Sequence, residues 1–316
     1  MEYIRKDTIN MRMAIDGHGN IYMSDPLNNH ISKFAPEGDI IAQWGVRGNS
    51  EGQFAGPHGI AIDRSGNVYI ADMGNRRIQK FASEGKFLAS WTTYTSGGQI
   101  IYPRSIAVDD YISVYVVGTA HDPYLKRFKA NGELIDQWPL IGGDPFDVAV
   151  DTSGNIYITD RSNNSVTKFK SDGTFLASWG RLDLDYKKFE RSFKNSYFGK
   201  SWAKAILTTP ITPFPLYPSQ LSSPSYLAID MLGYIYVVDG YSPYIKKFGP
   251  NGNCCGTFGE QGDNDGQLLN PNSIAVDRMG NFYVADGGCV HKFTSDGEFL
   301  NKCSIFSCEE ADRLEG

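Results

Sequence analysis

Cysteine is scarce, five in 316 residues, and all five (Cys254, Cys255, Cys289, Cys303 and Cys308) sit toward the C-terminal end. They form no Cys-x-x-Cys pair, so a structural zinc site is not indicated. A chain this long can bury a large core without disulfide staples. The odd count leaves one thiol over, and pairing of Cys303 or Cys308 is expected only in an oxidising compartment. No apolar run approaches the roughly 20 residues of a membrane-spanning helix. The start, Met1-Glu2-Tyr3, lacks a basic-then-apolar leader, which favours the cytoplasm over secretion. Charged residues make up only 21%, with a net charge of −6, and that balance argues against a wide nucleic-acid footprint. His-Glu-x-x-His spacing, a Gly-x-Ser-x-Gly elbow and a phosphate-cradling glycine loop are all missing, so the expectation leans away from an enzyme.

Glycine (34 residues) and aromatics (13%) are abundant instead, as many short strands and tight turns require. An Asp and a Tyr six residues apart recur six times: Asp16–Tyr22, Asp63–Tyr69, Asp109–Tyr115, Asp151–Tyr157, Asp230–Tyr236 and Asp277–Tyr283. A Phe preceded by a basic residue follows each Tyr by 10 to 13 residues, as in Lys80-Phe81 and Arg127-Phe128. The steps between repeat Asp residues are 47, 46, 42, 79 and 47. The long step marks an insertion at about 181–223.

Within each repeat the apolar pattern gives four strands. In the second copy they are Ile60-Ala61-Ile62, Val68 to Ala71, Arg77 to Phe81 and Phe87 to Trp91. Asp63 through Gly66-Asn67 supplies a hairpin, because Asp bonds its own backbone and Gly accepts positive φ. Four antiparallel strands every forty-odd residues predict propeller blades. The expected fold is all-β, a six-bladed propeller forming one domain over 1–316. The shared Tyr position should pack between blades. Two segments compete for the outer strand of the last blade, Met1–Ile9 and Phe299–Phe306, and the N-terminal one is favoured.

The stretch "PHGIAIDRSGNVYIADMGNRRIQKF" at Pro57–Phe81 resembles the NHL repeat. "DRSNNSVTKF" at Asp160–Phe169 and "PNSIAVDRMGNFYVAD" at Pro271–Asp286 resemble it too. The resemblance implies a fold that hosts RNA-binding and protein-binding modules, sensor domains and a zinc-dependent lyase acting on peptidyl-α-hydroxyglycine. Related propellers include calcium-dependent lactonases. His58 and His121 resemble two of the lyase's three zinc-binding histidines. Phe146 stands where the third would fall, and Asn28-Asn29-His30-Ile31 stands where the lyase carries an Arg.

Strand order puts the residues before each first strand, and those ending each second strand, on one opening face. Candidate ligand-binding residues there are His58, Arg104, Phe146, Asp147, Asn272, Asp72 and Arg77, chosen where copies differ. Asp25, Asp72, Asp160, Asp239 and Asp286 either cap their own turns or form a carboxylate ring for calcium or a cationic ligand. Within the insertion, Leu182, Tyr186, Phe189, Phe193 and Tyr197 share one helical face, and a proline-rich tail follows. Lys187, Lys188, Phe189, Arg191, Phe193 and Trp202 would dock a partner there, or an anionic membrane surface. The leading expectation is a scaffold binding a protein or peptide. The alternatives are a lyase or hydrolase with zinc or calcium at the mouth (metal ligands His58 and His121), and an RNA-binding module.

Overall fold

The computed structural model describes residues 11–93, 102–119, 124–140, 143–180, 220–240 and 242–304. Six four-stranded antiparallel sheets follow one another in sequence order. Blade 1 is Arg12–Ile15, Ile21–Asp25, His30–Phe34 and Ile40–Trp44. Blade 2 is Pro57–Ile62, Val68–Asp72, Arg77–Phe81 and Phe87–Thr92. Blade 3 is Tyr102–Val108, Val114–Thr119, Tyr124–Phe128 and Leu134–Pro139. Blade 4 is Pro145–Val150, Ile156–Asp160, Ser165–Phe169 and Phe175–Trp179. Blade 5 is Pro224–Ile229, Ile235–Asp239, Ile245–Phe248 and Cys254–Phe258. Blade 6 is Pro271–Val276, Phe282–Asp286, Cys289–Phe293 and Phe299–Ser304. Second strands are buried on both faces because strands flank them and blades cover them, whereas outer strands such as Phe87–Thr92 alternate half-buried and exposed. The helical expectation for the insertion falls on residues 181–219, outside those described.

The core is six clusters set between neighbouring blades, with Phe146 of blade 4 joining the cluster of blades 5 and 6. Tyr22, Ile31 and Phe54 pack on Ile60, Val68 and Ile70 between blades 1 and 2. The ring closes where Met11, Met13 and Ile21 of blade 1 meet Ala275, Tyr283 and Val290 of blade 6. The outer strand of blade 6 is its own Phe299–Ser304, paired from Cys289↔Ser304 to Phe293↔Phe299. The edge beside Cys289–Phe293, expected to take Met1–Ile9, is filled by this C-terminal segment, and Met1–Ile9 lies outside the described residues. A backbone link supplements closure: the Met13 N–H donates to Ser273 Oγ at 3.0 Å.

The recurring spacing has a physical cause. In blade 2, Asp63 accepts the N–H groups of Ser65 and Asn67, both at 2.9 Å, and the Tyr69 hydroxyl at 3.0 Å. The same Asp–Tyr bond recurs in the other five blades, at 2.9–3.3 Å. Each Tyr ring carries the Lys or Arg of the third strand over its face, as Lys80 does over Tyr69 at 5.0 Å. The outer aromatic of one blade then lies against a turn glycine of the next: Trp44 on Gly85, Trp91 on Gly132, Trp138 on Gly173 and Trp179 on Gly252. Phe258 on Gly297 and Cys303 on Gly38 complete the circle.

Candidate functional site at the axial mouth

Counting back from each repeat Asp aligns the ends of the six inner strands. The fourth residue back is Arg12, Gly59, Ser105, Asp147, Tyr226 and Ser273. The fifth is Met11, His58, Arg104, Phe146, Ser225 and Asn272. Framework positions repeat from blade to blade, whereas among these twelve only Ser105 and Ser273 share a residue type at one position. They ring the axis at one mouth of the propeller.

Arg12 of blade 1 reaches across the axis to the opposite blade, where its Nη1 lies 2.9 Å from Asp147 Oδ1. Its Nη2 donates to the Phe146 carbonyl at 3.0 Å, and its guanidinium lies 4.3 Å from the Tyr226 ring centre. Both charges are buried, so the pair needs further bonds to offset desolvation. Asp147 has them: it accepts the Ser105 hydroxyl, the Val148 N–H at 3.0 Å and the Leu227 N–H at 2.9 Å. Phe146 and Tyr226 meet edge to face at 5.2 Å and complete an aromatic floor.

Two further arginines stand on that floor. Arg161 lies 3.5 Å over the Phe146 ring centre and Arg104 lies 4.7 Å from it. Arg104 pairs with Asp144 at 3.1 Å, and Arg161 donates to Ser225 Oγ at 3.0 Å. Burial draws both guanidinium groups below the usual arginine range, with Asp144 opposing that effect. Burial, reinforced by Arg12 and Arg104, pushes His58 down to about 4, so it is neutral at pH 7. Burial raises the Tyr226 phenol, against the pull of Arg12. Three cations thus face two carboxylates.

The structure brings His58, Arg104, Phe146 and Asp147 together, and Asn272 lies half-buried on the inner strand of blade 6. Asp72 and Arg77 have another task. Arg77 pairs with Asp72 at 2.8 Å and donates to the carbonyls of Asn49, Ser50 and Gln53, which pins the loop between blades 1 and 2. Asp72 also accepts the Ala55 N–H at 2.8 Å. The other mouth carboxylates bond neighbouring backbone too: Asp25 accepts from Leu27 and Asn28, Asp160 from Asn163, Asp239 from Ser222, and Asp286 from Leu269 and Asn270. They cap turns.

His121 and the insertion residues Lys187, Lys188, Phe189, Arg191, Phe193 and Trp202 lie outside the described residues. Among the described residues no three His, Cys, Asp or Glu side chains are placed to hold a metal ion. His58 does not suit a cation either, because Arg12 and Arg104 act on it with positive charge. Cys254, Cys255, Cys289 and Cys303 are free thiols, and Cys308 is outside the described residues.

Arg12, Tyr226, Arg161 and Asp144 belong to the site but carry no motif. Alignment on the repeat Asp marks Arg12 and Tyr226 as departures from small residues. Arg161 is the one charged residue among those following the second strands: Pro26, Met73, Ala120, Arg161, Gly240 and Gly287.

The model of the NHL repeat matches residues 54–81 and 143–169. No curated protein matches the chain by sequence. Among solved structures, a streptogramin B lyase is 13% identical, with a TM-score of 0.61 over 94% of this chain and 83% of that one. A catalytically inactive virginiamycin B lyase from Staphylococcus aureus with quinupristin is 12% identical, with a TM-score of 0.60 over 95% and 86%. A protein of unknown function from Bacteroides caccae is 12% identical, with a TM-score of 0.57 over 94% and 95%. At such identities the likeness is one of fold. Two segments of this chain thus match the NHL repeat, and its six sheets form a six-bladed β-propeller.

Proposed function

We propose that the protein is a binding module that engages a protein or peptide partner through its opening face, with the axial mouth at the centre and the 181–223 insertion beside it. One observation carries the reading: the positions that break the repeat converge on a single Arg- and aromatic-rich floor. Arginine and aromatic side chains in a packed, desolvated setting are what interface centres favour. Leu27, Val46, Tyr102 and Tyr244 are exposed near the ends of strands that open on this face and extend the apolar area. A metal-dependent lyase or hydrolase would need donors that the described part of the mouth does not bring together. An RNA-binding module would have to act against a net charge of −6.

Quantitative affinity capture with the intact chain tests the proposal. Replacing 182–219 by a short Gly-Ser linker, or making Arg104→Glu, is expected to remove the same partner. Leu232→Glu, in a hairpin of the opposite face, is expected to retain it. An unchanged partner with both mouth variants overturns the reading.

A further inference from the structure

The five N–H donors of an arginine make its bonding state easy to audit. Arg77 places four of its five donors on protein oxygens and is committed as a structural residue. Arg12 is committed to Asp147 and to the Phe146 carbonyl. Arg161 differs. Among the described residues its Nη2 has one bond, to Ser225, its Nε is buried without a partner, and no carboxylate lies within ion-pair distance. Among the described residues Arg104 uses only Nη1, on Asp144. The two arginines flank one aromatic ring, so their remaining donors belong to one place.

We propose that this place is an anion site, and that it takes a carboxylate of the bound peptide, docked on Arg161 and Arg104 above Phe146. The inference rests on the proposed peptide-binding function and names its anchor. Arg12 and Arg104 each pair with a carboxylate, Asp147 and Asp144, whereas among the described residues Arg161 pairs with none. A carboxylate neutralises one charge, whereas a phosphate monoester, carrying about −1.5 to −2 at pH 7, overshoots it. A guanidinium fork also matches the planar carboxylate with two parallel bonds. The aromatic floor excludes water beneath them and strengthens the attraction. Arg161, half-buried and without a carboxylate among the described residues, is the cation that such a ligand completes.

Calorimetric titration of the intact chain with N-acetyl-L-phenylalanine tests this, with its amide, inorganic phosphate and an oligouridylate as comparison probes. The acid is expected to bind at one site per chain, and the amide about 10- to 100-fold more weakly, the range set by a charge-assisted bond. Arg161→Gln should weaken the acid by a similar factor, and Arg104→Gln provides a second variant should the first melt early. Arg64→Gln, an exposed surface position paired with Asp110, should leave binding unchanged. Equal binding of acid and amide, no binding of the acid, unaltered binding in Arg161→Gln and Arg104→Gln, or tighter binding of phosphate or oligouridylate overturns the carboxylate site. Because these probes need no partner, such a failure is distinct from failure of partner capture. Capture lost in Arg104→Glu alongside a silent titration rejects only the anchor.

Discussion

Arg12 and Asp147 stand 135 positions apart in sequence on opposite blades, yet their side chains meet at 2.9 Å across the propeller axis. The pair ties the first inner strand to the fourth and covers the core end of the mouth. Removing one partner leaves a buried charge with no counterion, which typically costs about 3–5 kcal/mol. Arg12→Met and Asp147→Asn are each expected to fall in that range in denaturant unfolding. The double variant should lose at least about 1 kcal/mol less than the two single losses together. Strict additivity would show that the two side chains do not act as a pair.

The contact of Trp44 with Gly85 gives a second expectation. Gly85 has φ +85°, and a Cβ built there would lie 2.7 Å from the Trp44 ring. Gly52 has φ +74° and open space around its missing Cβ. Gly52→Ala should therefore cost only the left-handed backbone, about 1 kcal/mol. Gly85→Ala adds overpacking of about 1–3 kcal/mol. In a Trp44→Ala background the Gly85→Ala penalty should shrink to that of Gly52→Ala. Chemical unfolding of the four variants decides it.

Blades were legible because their signals are local and repeated. Asp63 and Tyr69 lie six residues apart since one hydroxyl must reach the carboxylate that closes the hairpin, and this bond occurs six times. The site was legible only in part. His58, Arg104, Phe146 and Asp147 break the repeat visibly at positions that strand order places at the mouth. Arg12 stands out on alignment with the repeat Asp, but its partner does not, since no local pattern links residues that meet only after the ring closes. Asp72 and Arg77 lie on the expected face, but the sequence does not show that the 45–56 loop returns to occupy their hydrogen bonds. Closure was ambiguous because two segments had strand-like patterns, and only pairing with Cys289–Phe293 decides between them.

Ile112 yields a stabilising prediction. Five hairpins place Gly at the third residue after the repeat Asp, with φ between +79° and +85°; blade 3 places Ile112 there, at φ +62°. A β-branched residue in that region is a genuine strain. Ile112 is partly exposed, so little burial is lost on truncation. Relief of about 1–2 kcal/mol is offset in part by the greater freedom of Gly in the unfolded chain. Ile112→Gly should raise stability by about 1 kcal/mol, seen as a higher denaturant midpoint at unchanged slope. A lower midpoint would contradict the strain.

His58 sets an acid limb. Its folded pKa of about 4 lies below the ordinary 6.5, because burial and the neighbouring Arg12 and Arg104 disfavour the imidazolium. Between those values the unfolded chain binds more protons, so stability rises with pH there. The contribution is fully present above pH 6.5 and is lost progressively as pH falls through about 4. The span amounts to about 3 kcal/mol. His58→Gln removes the titration while retaining a neutral polar side chain. Its stability profile should be flatter than that of the parent between pH 6.5 and 4, with the two curves running parallel above 6.5. Denaturant unfolding across that interval measures the difference, and identical slopes would show that His58 is as free to protonate in the folded chain as in the unfolded one.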